Sequence, residues 1–191
     1  EHFLRNNIKT NNNEPALFDV VYIGQNIGHN RILGHLYQDI HDNHFKDYYE
    51  HLFWLAKLSK RKPNLSIGIA HHGNCIADPK ELTLIKGTRI ERLDQKVSTY
   101  HYASKATINV TFGSTMGFEF LGLGKPCLFL DPGYRNSQYL PTEMNFGDWR
   151  IASFEKFERT VESLLSTTVS PNNRIKTTDF CLDSHEVSSR I

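Results

Sequence analysis

Residues 106–132 read ATINVTFGSTMGFEFLGLGKPCLFLDP. The run from Ala106 to Phe112 is apolar and β-branched, the composition of a strand buried on both faces. Gly113-Ser114-Thr115 is a small polar turn, and an apolar helix follows it. Gly122-Leu123-Gly124 closes that helix as a C-cap, and Cys127 to Leu130 is a second buried strand. Strand, helix and strand in this order form one βαβ unit, with its polar turn at the carboxyl end of the first strand. Open parallel sheets bind ligands at such ends, where the free N–H groups of a helix start can meet an anion. The backbone at Gly113 and the hydroxyls of Ser114 and Thr115 therefore suit a phosphate. A plain helix cap uses the same residues, and residue types alone weigh the two readings equally.

Outward from this unit, strands and helices alternate. Leu17 to Ile23 (LFDVVYI) reads as the first core strand, with Gly24-Gln25-Asn26 as its exit. Asp42-Asn43 is a candidate cap for a helix from His44 to about Ser59, whose apolar face comprises Phe45, Tyr48, Tyr49, Leu52, Phe53, Ala56 and Leu58. Leu65 to Ala70 is a second buried strand and delivers His71-His72-Gly73 at its carboxyl end. A helix over Pro79 to Lys86, a strand over Thr88 to Leu93 and a helix over Ser98 to Ser104 precede the central unit. Beyond it, Trp149 to Ala152 reads as a strand, and Ser153 caps a helix over Phe154 to Ser166 with Phe154, Phe157, Val161, Leu164 and Leu165 inward. The alternation predicts an α/β fold, a Rossmann-like parallel sheet with helices on both faces. Residues 28–42 fit either a strand or a short helix. Residues 1–16 are polar and Asn-rich, a linker or disordered lead-in to a domain spanning 17–191. The opening on Glu1 leads us to expect a piece of a longer protein.

The chain has 191 residues and a formal net charge of +1, which gives no general pull toward nucleic acid. The basic run Lys57 to Lys62 reads as a solvated helix end. Cys75, Cys127 and Cys181 are widely spaced, which fits a reducing, cytoplasmic setting better than a disulfide framework or a zinc site. The sequons at Asn64 and Asn109 read as chance, the second because it lies inside a buried strand. No apolar run approaches the length of a membrane span.

Several reaction classes fail on spacing. A nucleophile elbow needs G-x-S-x-G, but Ser114 stands one place early and Thr115 fills its position. Gly24 to Gly28 is not G-x-G-x-x-G, so a nicotinamide fingerprint is missing. His35, His41-Asp42 and His44 match no standard metal spacing, and no metal or cofactor is expected. Glu119 falls one helical turn past Thr115, so the two share a face. A carboxylate there could accept both hydroxyls of a ribose, or simply face solvent near a positive helix end. His71 or His72 could hold a phosphate or protonate a leaving oxygen.

Taken together, Gly-Ser-Thr, a helix bearing Glu119, Gly124-Lys125-Pro126 and a strand resemble the C-terminal, nucleotide-sugar-binding half of GT-B glycosyltransferases. The likeness is greatest to bacterial enzymes of capsule and surface polysaccharide assembly. It extends to Val20 to Gln25 and to Val97-Ser98-Thr99-Tyr100. It also takes in His71-His72, where sialyltransferase-like members carry His-Pro, and Phe180 to Ser184 near the end. The resemblance implies that Gly113, Ser114 and Thr115 hold donor phosphates and Glu119 the ribose. It implies that His71 or His72 assists departure, while Gly24 and Gln25 line the cleft. Retaining members with a paired-Glu motif carry a second Glu where this chain has Thr111, so the resemblance points to an inverting, metal-independent transferase. Its glycan acceptor and catalytic base would come through an N-terminal half, and the parent protein could associate with the inner face of the membrane. Non-hydrolysing nucleotide-sugar 2-epimerases share a similar Ser…Glu…Gly-Lys-Pro string and form the alternative. A non-catalytic α/β interaction module is a third.

Overall fold

The computed structural model describes residues 15–24, 38–71, 78–134 and 149–166, with side chains from residue 46 onward in the helix that opens at Gln38. The elements are β1 (Phe18–Gly24), α1 (Gln38–Arg61), β2 (Ile67–His71), α2 (Pro79–Ile85), β3 (Ile90–Arg92) and α3 (Thr99–Ser104). They continue as β4 (Ala106–Thr111), α4 (Thr115–Gly122), β5 (Cys127–Leu130), a 3₁₀ turn (Pro132–Tyr134), β6 (Arg150–Ile151) and α5 (Phe154–Ser166). All neighbouring strands pair in parallel, in the order β3-β2-β1-β4-β5-β6. The expected α/β parallel sheet is therefore present, and its strand order reverses between β1 and β4.

The two-residue period of a strand sorts the core into two layers. Val20 and Tyr22 of β1 point into a continuous cluster with Ile67 and Ile69 of β2, Ile108 and Val110 of β4, and Leu128 and Leu130 of β5. Helices α1 and α5 cover that face with Leu52, Leu55, Leu58, Phe157 and Val161. Each such side chain contributes about 1.5–3 kcal/mol by burial. Val21 and Ile23 point the other way, into smaller clusters closed by α3 and α4 through Tyr102, Ala103 and Phe120. Helices thus lie on both faces.

Helix α1 departs from expectation at both its start and its face. It opens at Gln38, so Asp42 and Asn43 stand within the helix rather than capping it. Phe53 is 54% exposed, whereas Trp54, Leu55, Asp47 and His51 are buried. Hydrophobic type selects Phe53, but the 100° step of the helix turns it away from the sheet. The basic end of α1 is also more than a solvated terminus. Lys57, Arg61 and Lys62 pair with Glu155, Glu158 and Glu162 of α5, with Arg61 and Glu158 at 2.7 Å.

The other elements follow their sequence signals closely. Asp78 caps α2 by accepting from Lys80 and Glu81 N–H, and Pro79 occupies the first turn. Ser153 Oγ accepts from Lys156 N–H at the start of α5. Asn109 and Thr111 are both buried in β4, so that sequon is closed to modification in the folded chain.

Candidate functional site

Parallel register brings the carboxyl ends of β1, β2 and β4 to one level, and the order reversal falls between β1 and β4. Gly24 pairs in register with His71, and Ile23 with Thr111. Gly24 and the start of α4 therefore flank the crevice where ligands sit in open parallel sheets.

The β4–α4 turn is built by short hydrogen-bonded steps. Thr111 Oγ1 donates to the Ile23 carbonyl at 3.4 Å and accepts from Ser114 N–H at 3.3 Å. Ser114 has extended backbone (φ −67, ψ 136) and is the N-cap of α4, its Oγ accepting from Met116 N–H at 3.3 Å. Thr115 is exposed at the first helical position, and Gly113 and Ser114 are half-buried. The first-turn N–H groups of α4 lie at this end of the sheet; Met116 N–H is taken by Ser114 Oγ and Gly117 N–H donates to the Ser114 carbonyl at 2.9 Å.

Gly117 lets α4 approach that closely. A Cβ there would stand 2.8 Å from Thr111 Cγ2, 3.1 Å from Cys127 Sγ and 3.1 Å from Phe129 Cε1. In the sequence Gly117 is simply the second glycine of the Gly113 to Gly117 stretch, whose spacing fails the hydrolase motif. Its readable signal is a glycine one turn past the cap of an apolar helix, where propensity alone disfavours it.

Glu119 is half-buried on α4, and its Oε2 accepts from the Tyr100 hydroxyl at 2.8 Å. Burial, the Glu119 hydrogen bond and the Glu119 charge push the Tyr100 phenol up to about 12, so it stays protonated and donates. Tyr100 is itself held against Phe120, ring centroids 6.2 Å apart.

His71 sits under the crevice rather than in it. It is 3% exposed, and its Nε2 lies 2.9 Å from Glu81 Oε1. Glu81 is buried on α2 and also accepts from Tyr48 Oη at 2.7 Å and Arg92 Nε at 3.1 Å. Burial alone would raise the Glu81 carboxyl. The His71 hydrogen bond and charge, the Tyr48 bond and the Arg92 charge outweigh it and hold the group below its ordinary range. A carboxylate only accepts, so Nε2 of His71 carries the proton. The imidazole also rests on Gly24, where a Cβ would stand 2.5 Å from Nδ1. Gly24 is thus required by the histidine beside it. Gln25 and His72 lie outside the described residues.

Further polar features surround this arrangement. The Tyr22 hydroxyl and His51 Nδ1 are 3.1 Å apart in the core, and burial raises the Tyr22 phenol. At the carboxyl end of β5, buried Asp131 accepts from Arg150 Nε at 2.7 Å. Lys125 of the Gly-Lys-Pro string donates through Nζ to the Ser104 carbonyl, and burial lowers its amine. It precedes β5 and so stands at the amino edge of the sheet, opposite the crevice. Its role in the string is to tie α3 to the sheet.

Among the described residues, no group of three or more His, Cys, Asp or Glu could hold a metal ion. No helix among them is long and apolar enough to cross a membrane. His35 lies outside the described residues, and the side chains at 41, 42 and 44 are not described.

No family model matches the sequence, and no curated protein matches it at sequence level. The fold does match a solved structure. A crystal structure from Listeria monocytogenes, named as a UDP-N-acetylglucosamine 2-epimerase, superposes with a TM-score of 0.50 at 12% identity. The match covers 94% of this chain and 43% of that one. The chain has a GT-B-like Rossmann fold. It spans less than half the length of that enzyme. At such low identity the likeness speaks for the GT-B-like architecture and carries no residue role across.

Proposed function

We propose that this domain binds the nucleotide sugar of a GT-B-type enzyme in the crevice between β1 and β4. The observation that carries the reading is the strand-order reversal, which sets Gly24 beside the Gly113-Ser114-Thr115 turn. Glu119 stands one turn further along the same helix. In this reading the α4 N-terminus and the Ser114 and Thr115 hydroxyls receive the donor phosphates, and Glu119 accepts from the ribose. His71 is committed to Glu81, so the reading leaves the phosphate or leaving-group contact to His72 and makes His71 a support for the crevice floor.

The leading chemistry is inverting glycosyl transfer in surface polysaccharide assembly. An acceptor hydroxyl, deprotonated by a base on a second domain, would attack the anomeric carbon. The bond to the donor phosphate would break, and helix N–H groups and hydroxyls would receive the charge that develops on the leaving oxygen. A glycan acceptor reaches the site only through that second domain. Titration calorimetry with CMP, UDP and GDP sugars is the first test. Binding to one of them, weakened about tenfold by Ser114→Ala, is expected from the loss of one good contact. No binding to any of them, together with unchanged turnover in Ser114→Ala, would refute the reading.

The second chemistry is epimerisation at C2, favoured by the architecture shared with the Listeria monocytogenes protein. Incubation with UDP-N-acetylglucosamine, followed by NMR of the sugar, separates the two. A C2 epimer formed without acceptor selects the isomerase, and its absence leaves transfer.

A further inference from the structure

Glu119 is a long side chain near the surface, and a carboxylate with free rotamers pays an ordering penalty on meeting a ligand. Here one of its oxygens is already fixed. Oε2 accepts the Tyr100 hydroxyl at 2.8 Å, whereas Oε1 has no hydrogen-bond partner among the described residues.

The donor is itself well anchored. Tyr100 lies on α3, packs on Phe120 and borders the cluster of Ile23, Ala103 and Phe120. Its neighbour Thr99 donates through Oγ1 to the His71 carbonyl at 3.0 Å. Helix α3 is thereby pinned to the end of β2, and through Tyr100 it reaches across to α4. A chain of contacts runs from the carboxyl end of β2 to the carboxylate.

The pairing is also asymmetric. A phenol that stays protonated can only donate toward a carboxylate, so Tyr100 sets the orientation of Glu119 without competing for Oε1. A ribose presents two adjacent hydroxyl donors, and a carboxylate with one oxygen tethered and the other open can take both.

We propose that Tyr100 is a positioning residue that holds Glu119 ready for the two hydroxyls of a ribose, so that preference for ribonucleotides belongs to this pair rather than to the carboxylate alone. The inference rests on the reading of the crevice as a nucleotide site.

The test is calorimetric titration of the whole protein with UDP, GDP and CMP, and with the 2′,3′-dideoxy form of whichever binds. The wild type should prefer the ribose form. Tyr100→Phe keeps the ring and its packing on Phe120. It should weaken the ribose form about three- to tenfold, as expected for one positioned hydrogen bond, and leave the dideoxy form within about twofold. In a Glu119→Ala background, Tyr100→Phe should change neither. Equal weakening of both forms, or no change in either, with wild-type preference intact, overturns the role of Tyr100 and spares the nucleotide site. The same holds for an undiminished effect in the Glu119→Ala background. A wild type that binds nucleotide without preferring ribose overturns the role of Glu119. A wild type that binds none overturns the nucleotide site itself.

Discussion

The two faces of the sheet solve packing in different ways. The face under α1, α2 and α5 is one continuous apolar cluster, and at its carboxyl end it encloses a polar group of His71, Glu81, Tyr48 and Arg92. The face under α3 and α4 is divided into smaller clusters. There, small residues such as Gly117 and Ala103 let helices come close to the strands. The first face spends its polar side chains on one another. The second leaves Ser114, Thr115 and one oxygen of Glu119 at the mouth of the crevice. A mutually hydrogen-bonded polar group beneath the crevice, and hydroxyls and a carboxylate oxygen at its rim, thus belong to opposite layers of one sheet.

The largest test of this division strikes the buried polar group. Glu81→Ala removes an acceptor that His71, Tyr48 and Arg92 share. It should destabilise the fold by about 3–5 kcal/mol in urea unfolding. The same carboxyl gives a pH signature. Its native pKa lies below the ordinary value of 4.5. Its contribution is therefore complete above that range and is lost as pH falls through the native value. Wild-type protein should lose stability in acid more steeply than Glu81→Gln. Identical acid limbs would show that the pair does not anchor this face.

Next in size is the close approach on the other face. Gly117→Val places a side chain against Thr111, Cys127 and Phe129. Overpacking of this kind costs about 1–3 kcal/mol. Adding Cys127→Ala should return part of the loss, because it removes the sulfur that a Cβ would meet at 3.1 Å. Strict additivity in a double-mutant cycle would mean that the two do not touch.

At the rim, Ser114→Ala should cost about 1 kcal/mol in stability, the usual worth of a cap, and should also weaken nucleotide binding. A loss of stability with binding unchanged would reduce Ser114 to a cap. The smallest effect belongs to the helix pairs far from the crevice. Arg61 and Glu158 are 2.7 Å apart, but the arginine side chain is half exposed. Glu158→Ala should cost less than about 1 kcal/mol, and the difference should shrink in 1 M salt, measured by thermal unfolding at both ionic strengths.

Most of the sheet was readable in the sequence because buried parallel strands announce themselves as apolar β-branched runs. The runs around Val20, Ile67, Ile108 and Leu128 all became strands. The rim was readable for a related reason. Ser114 follows a strand and opens a helix, and hydrogen bonding across a few residues decides that geometry. The face of α1 was less legible. Polar residues such as Asp47 and His51 give no hydrophobic signal, yet both are buried. His71 read as a crevice residue because its place at a strand end is visible, whereas its partner Glu81 lies on a different element. The pairing of Tyr100 with Glu119 is invisible in the sequence for the same reason, since the two are 19 residues apart.

By itself the sequence determined the core strands, most of the helices, the α/β class and a helix start at Ser114-Thr115. Each of these is set by interactions along a few neighbouring residues. Only the tertiary structure decided the strand order, the commitment of His71 to Glu81, the need for glycine at positions 24 and 117 and the tether on Glu119. Those depend on which side chains from distant segments come within ångströms of one another, a distance no local pattern encodes.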